Sequence, residues 1–206
     1  MGGSGSSQPA PQRAPILKTP WRDISWGDNR EALHYLKKFQ PQNEELKHIR
    51  VLFYGPVGVG KSSFINSVNN VFQQRMTHQA LTSTRTADQS FTKKYETYKI
   101  QKEDRGNFYP FVFNDIMGLE DGDGRGVRAD DLKLALMGHV KEGYKFHPLS
   151  SLSACDPYYN SSPSISDRVH VLVCFNNANA SETKSSVLQK MKEIREAASD
   201  LGKKQK

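Results

Sequence analysis

Gly55-Pro56-Val57-Gly58-Val59-Gly60-Lys61-Ser62 is the stretch on which the fold turns, because it fits G-x-x-x-x-G-K-[ST], the phosphate-binding P-loop. A nucleotide's phosphates lie against main chain, so glycine is needed where a Cβ would intrude or φ turns positive. Successive backbone N–H groups then converge on the anion, and the following helix turns its positive dipole end toward it. Gly55, Gly58, Val59, Gly60, Lys61, Ser62 and Ser63 are therefore the candidate phosphate contacts. Lys61 adds a mobile cation for the terminal phosphates, and Ser62 offers its hydroxyl to Mg²⁺.

The flanks decide whether the match is more than a glycine-rich turn with a solvated lysine. Ile49-Arg50-Val51-Leu52-Phe53-Tyr54 is short, mostly apolar and rich in β-formers, as a buried strand is. After the motif, Phe64, Ile65, Val68, Val71 and Phe72 recur at helical spacing. Strand, glycine loop and helix come in the order the motif demands.

A second signature lies downstream. Residues 75–90 are polar and hydroxyl-rich, with Thr82, Ser83, Thr84 and Thr86. Strands are predicted over 91–100 and 108–115, with Gly106-Asn107 as the turn between them. The second strand runs into Asp115-Ile116-Met117-Gly118. D-x-x-G after a P-loop gives Asp115 to the magnesium ion and the Gly118 amide to the terminal phosphate, with Thr84 as the hydroxyl-loop metal contact. The competing role for Asp115 is to cap the next helix. The run Glu120-Asp121-Gly122-Asp123-Gly124-Arg125-Gly126 invites calcium, but an EF-hand starting at Asp121 meets Arg125 and Leu132 where oxygen ligands are required. A mobile loop in a nucleotide-switch position is the better account.

A helix is predicted over 129–140. Residues 143–167, with Pro148, Pro157 and Pro163, read as a long lid, binding segment or disordered loop. A buried strand follows over 169–175. The helix over 182–201 puts Val187, Leu188, Met191, Ile194, Ala198 and Leu201 on one face. The expected organisation is a disordered Gly/Ser/Pro tail over 1–19, a brace helix with Trp21 and Trp26 over 20–47, the P-loop domain over 48–202 and a basic tail over 203–206.

Net charge is +7, from 29 basic and 22 acidic residues, but no basic stripe interleaves with aromatics, so no specific nucleic-acid partner is expected. Gly2 opens a formal myristoylation pattern inside a low-complexity run, and one acyl chain with so thin a basic partner does not make a membrane protein. Two cysteines without metal-site spacing, and no long apolar run, point to a reducing, cytosolic setting.

Taken in order, these pieces resemble a small GTPase-type domain. The residues around them are similar to the interferon-induced protein 44 family, including its 44-like members. The likeness lies in Thr19-Pro20-Trp21-Arg22, residues 51–63, Tyr109-Pro110-Phe111-Val112-Phe113-Asn114-Asp115, Tyr144-Lys145-Phe146-His147-Pro148 and Ser162-Pro163-Ser164-Ile165-Ser166-Asp167-Arg168-Val169-His170. It covers most of the chain from Thr19 to about Leu201. The resemblance implies a cytoplasmic protein of the interferon-induced antiviral response that binds GTP and GDP with Mg²⁺. Gly55, Gly60, Lys61 and Ser62 carry over as phosphate and magnesium contacts, and Asp115 and Gly118 as the second phosphate motif. The fold expected is α/β, a three-layer GTPase-like P-loop NTPase with a mostly parallel sheet, C-terminally truncated.

Two departures matter. No [NT]-K-x-D base reader is present: Asn176-Asn177-Ala178-Asn179 has neither lysine nor aspartate, and the family's T-[KH]-V-D falls on a strand beyond Lys206. Leu119 stands where many GTPases place a water-orienting glutamine, so turnover is expected to be slow. The alternative to a GTP-binding switch is a non-catalytic interaction protein acting by occupying a partner. With no base-reading strand beside it, the strand over 169–175 becomes an exposed edge for self-association or a protein partner. An ATP-dependent phosphotransferase ranks last, since Arg125 and Arg128 make a poor lid.

Overall fold

The computed structural model describes residues 27, 29–80, 94–104, 106–122, 125–178 and 183–204. Trp21, Trp26, Thr84 and the tail over 1–19 lie outside the described residues. The chain divides after Leu36, within helix α1 (Asn29–Lys38), so the stretch 20–47 falls on both sides of the division.

Beyond that division, β1 (Ile49–Tyr54), β2 (Glu96–Gln101), β3 (Phe108–Asp115) and β4 (Val171–Cys174) form one sheet in the order β2-β3-β1-β4. β1 runs parallel to both β3 and β4, while β2 pairs antiparallel with β3, so the sheet is mixed. Pro110, which has no N–H to give, lies where the β2–β3 register shifts between Lys99 and Gln101.

Alternation along β1 makes two cores. Leu52 and Tyr54 face a large cluster with Leu132 and Ala135 of α3 (Ala129–Met137) and Val187 and Ile194 of α4 (Ser185–Lys204). Val51 and Phe53 face the other way, onto Ile65 of α2 (Lys61–Gln73). Helices on both faces of a central sheet give the α/β layering.

Several elements differ from the sequence reading. In α2, Phe64 and Val71 are 44% and 55% exposed; the buried face is Lys61, Ile65, Asn66, Asn69 and Phe72. Helix α3 stops at Met137, three residues short of the predicted end, because Gly138 (φ 86) caps it and returns its N–H to the Ala135 and Leu134 carbonyls. Strand β4 is shorter than 169–175, and Leu188 on α4 faces outward. The stretch 143–167 is tied to α3 and packed onto the domain. Asp131, fully buried on α3, accepts the Leu152 N–H at 2.8 Å and the Tyr144 hydroxyl at 3.3 Å, and Arg128 Nε donates to Ser151 Oγ at 2.8 Å. Tyr144, Phe146 and Leu152 then join the larger core. Among the described residues no helix is long and apolar enough to cross a membrane.

Candidate phosphate-binding site

The site is the junction of β1, α2 and β3. Gly55, Gly58 and Gly60 all take positive φ (144°, 76° and 94°), which lifts the loop off the end of β1 and starts α2 at Lys61. Gly55 has a second constraint. A Cβ there would lie 2.2 Å from the Phe175 carbonyl oxygen, where the chain leaves β4. Gly58, at the tip, has nothing within 4 Å of its Cβ position. Val59 is half-buried, and Ser63 is exposed on the first turn of α2, where its carbonyl accepts the Ser67 hydroxyl at 2.9 Å.

Lys61 is 7% exposed and folds back into its own loop, donating to Pro56 O at 2.9 Å and Gly55 O at 3.2 Å. Burial pushes its ammonium down to about 8, against the opposing pull of the Asp115 charge. Asp115 closes β3 and is 1% exposed; its Oδ2 accepts the Ser62 hydroxyl and its Oδ1 the Ile116 N–H at 3.0 Å. Ser62 and Asp115, far apart in sequence, thus meet directly. An oxygen-only pair with one carboxylate is the hard donor set that Mg²⁺ takes.

Gly118 completes the arrangement. Its Cβ would lie 2.7 Å from Val57 Cγ2 and 2.9 Å from Val57 Cα, so only glycine lets this segment lie on the loop. Leu119, fully inside the core, donates its N–H to Gly55 O at 3.0 Å. The structure therefore brings Gly55, Lys61, Ser62, Asp115 and Gly118 together; Thr84, the remaining metal candidate, lies outside the described residues. Among the described residues no group of three His, Cys, Asp or Glu is placed to hold a metal by itself.

A cleft of about 330 Å³ lies elsewhere, at the start of β1, lined by Arg50, Thr97, Glu142 and Asp167 among others. Its polar groups are already engaged, Arg50 with Asn114 Oδ1 at 2.9 Å and Glu142 with the Thr97 N–H at 3.1 Å.

The sequence reading missed two supports of the site. Asn66 on α2 takes the Gln79 and Ala80 N–H groups at 3.0 and 2.9 Å and donates to Ala80 O at 2.8 Å; Asn70 takes the Thr77 N–H at 2.6 Å. These asparagines dock residues 77–80, the lead-in to the hydroxyl-rich loop. On α4, Ser186 and Lys190 reach the loop after Gly118. Asparagine at core positions of α2 was a visible signal, whereas a lysine on an amphipathic helix gives none.

No protein-family model and no solved structure matches the chain. Among curated proteins, interferon-induced protein 44 of Pan troglodytes is 37% identical over 174 residues, 84% of this chain and 38% of that protein. The Homo sapiens protein of the same name is 36% identical over the same shares. Interferon-induced protein 44-like of Homo sapiens is 30% identical over 168 residues, 81% of this chain and 37% of that protein. The chain thus spans less than half the length of the curated relatives it matches. On this shared stretch it belongs to the interferon-induced protein 44 family.

Proposed function

We propose that the chain is a guanine-nucleotide binding protein of the interferon-induced immune response, acting in the cytoplasm, with a GTPase-like P-loop domain. One observation carries the phosphate reading: Lys61, Ser62 and Asp115 converge beneath a loop whose glycines hold positive φ. The GTP assignment and the cellular role rest on the family likeness. Ser62 and Asp115 would hold Mg²⁺, which when bound neutralises phosphate charge. Lys61 turns from its two loop carbonyls to the terminal phosphates, and the Gly118 backbone addresses the last of them. Leu119, inside the core, brings no polar group to orient a water, so the reading is of a binding switch with slow turnover. Titration of the purified chain with GTP, GDP and ATP in the presence of Mg²⁺ tests it. Guanine nucleotides are expected to bind at micromolar level or tighter. Absence of binding by all three overturns the site, and equal binding of ATP overturns only the base.

The pH dependence follows from Lys61. Its pKa in the free protein is about 8, and a bound polyanion raises it. Affinity is then full below pH 8 and falls as pH rises through that value, by up to about tenfold per unit. Calorimetry in buffers of different ionisation enthalpy checks this: proton uptake on binding is expected to grow between about pH 7.5 and about pH 9. Uptake that stays at zero contradicts it.

A second reading, an interaction protein, is favoured by β4. It is the outer strand of the described sheet, and Val171 is 44% exposed. Phe175 N–H donates to Tyr54 O at 2.8 Å, so the two-residue period turns the Leu172 and Cys174 amides to the open side. No charge lies within β4 to deter pairing. Self-association through this edge is expected, with light scattering rising with concentration and the Leu172 and Cys174 amides gaining protection as it does. Val171→Lys is expected to abolish both; a monomer at every concentration removes the proposal.

A further inference from the structure

The segment after Gly118 is gripped from α4. Lys190, in the second turn of α4, donates to Glu120 O at 2.9 Å, Gly122 O at 2.9 Å and Arg125 O at 3.0 Å. Three carbonyls account for all three N–H bonds of an ammonium. One turn earlier, Ser186 Oγ accepts the Gly122 N–H at 3.4 Å and donates to Asp121 Oδ1 at 2.5 Å, and Lys184 Nζ pairs with Asp121 Oδ2 at 2.9 Å. The same segment is tight at its other end. Gly118 lies on Val57 of the P-loop, and a Cβ on Gly126 (φ 69) would come within 2.6 Å of Glu120 N and 2.8 Å of Gly118 O. The backbone that carries Gly118 is thus closed on itself, seated on the P-loop on one side and tied to α4 on the other. Gly118 lies two residues before the first of the carbonyls that Lys190 holds.

We propose that Lys190 is a positioning residue for the terminal phosphate: by collecting the Glu120, Gly122 and Arg125 carbonyls it fixes where the Gly118 amide lies and makes the start of α4 the element that responds to GTP against GDP. This rests on the phosphate-site reading above. The role differs from that of a structural staple in being selective. GDP has no phosphate at the Gly118 position, so loss of Lys190 leaves GDP binding intact and weakens GTP.

The test compares wild type, Lys190→Met, which keeps the apolar stem, and Lys190→Arg, which keeps donors for the carbonyls. GTP and GDP affinities are measured with Mg²⁺, alongside amide exchange at Gly122 and Arg125 in nucleotide-free protein. For Lys190→Met the ratio of GTP to GDP affinity is expected to fall about tenfold, within the span of typical coupling between sites. Exchange at Gly122 and Arg125 rises in parallel, and Lys190→Arg recovers most of both. A ratio unchanged in Lys190→Met, or equal weakening of the two nucleotides, overturns the proposal while leaving the phosphate site standing. Wild-type protein that binds neither nucleotide overturns the phosphate site itself, and unchanged exchange overturns the grip of Lys190 without reference to any nucleotide.

Discussion

Lys61→Ala is expected to lower the affinity for GTP·Mg²⁺ by about a hundredfold or more while leaving the protein folded. The loss has a direct origin. Charge-assisted hydrogen bonds to phosphate contribute about 1.5–3 kcal/mol each, and a lysine at this position makes more than one. Folding is spared because Lys61 does not favour the nucleotide-free state. Its ammonium is buried, and the drop from 10.5 to about 8 means that burial opposes the charged form by about 3 kcal/mol at neutral pH. The sign follows from linkage. The unfolded chain binds the proton more tightly, so between pH 8 and 10.5 the free protein gains stability as pH rises, and below pH 8 the penalty is constant. Alanine removes the penalty and leaves the Gly55 and Pro56 carbonyls to water or other donors. Calorimetric titration of the variant together with its thermal unfolding checks both halves. Wild-type affinity in the variant would mean that Lys61 stays on its loop carbonyls and that phosphate binds elsewhere.

What the sequence disclosed, and what it concealed, divides by how local the cause is. The glycine loop after β1 is a backbone device: its glycines, its lysine and the strand before it are contiguous, so the turn can be read from eight residues. Asp115 was legible for a related reason, since an apolar strand ending in D-x-x-G places a carboxylate at the strand's C-terminal end. Its meeting with Ser62 then follows from β1 and β3 lying side by side. The α2 face was misread because periodicity counts apolar residues. Asn66 is buried to satisfy the backbone of Gln79 and Ala80, and Asn69 to donate to the Thr77 hydroxyl, which a hydropathy pattern cannot register, while Phe64 and Val71 lie outward. The packing of residues 143–167 was illegible for a longer-range reason. One buried carboxylate, Asp131, captures Leu152 and Tyr144 and turns a proline-rich run into part of the core. Nothing within that run announces it. Lys190 was invisible for the same cause: its three carbonyl partners lie about 70 residues away, and a lysine on a solvated helix is by default a surface residue.

Gly55→Ala is expected to be strongly destabilising, and Gly58→Ala, three residues on, to cost far less. Both glycines sit at positive φ, so both substitutions carry the strain of a conformation that L-residues rarely take, about 1–2 kcal/mol. Only Gly55 adds a collision. Its new Cβ would lie 2.2 Å from the Phe175 carbonyl oxygen and 3.1 Å from the carbonyl carbon, and both atoms are backbone. They cannot swing aside as a side chain would, because Phe175 is held to β1 by its own N–H bond to Tyr54. Relief requires β1 and β4 to part at their upper ends, where Phe53, Phe64 and Phe175 pack ring against ring at centroid separations of 5.1–5.5 Å. Strain, a lost ladder bond and loosened aromatic packing together put the destabilisation at about 4 kcal/mol or more, on the order of 10 °C in Tm for a domain of this size. Gly58→Ala meets nothing within 4 Å and is expected to lower Tm by only a few degrees. Thermal unfolding of the two variants beside wild type gives the comparison. Equal losses would mean that φ alone governs the loop and that the contact with Phe175 yields. A much larger loss at Gly55 would show that the glycine loop is fastened to β4 as well as to the strand that precedes it.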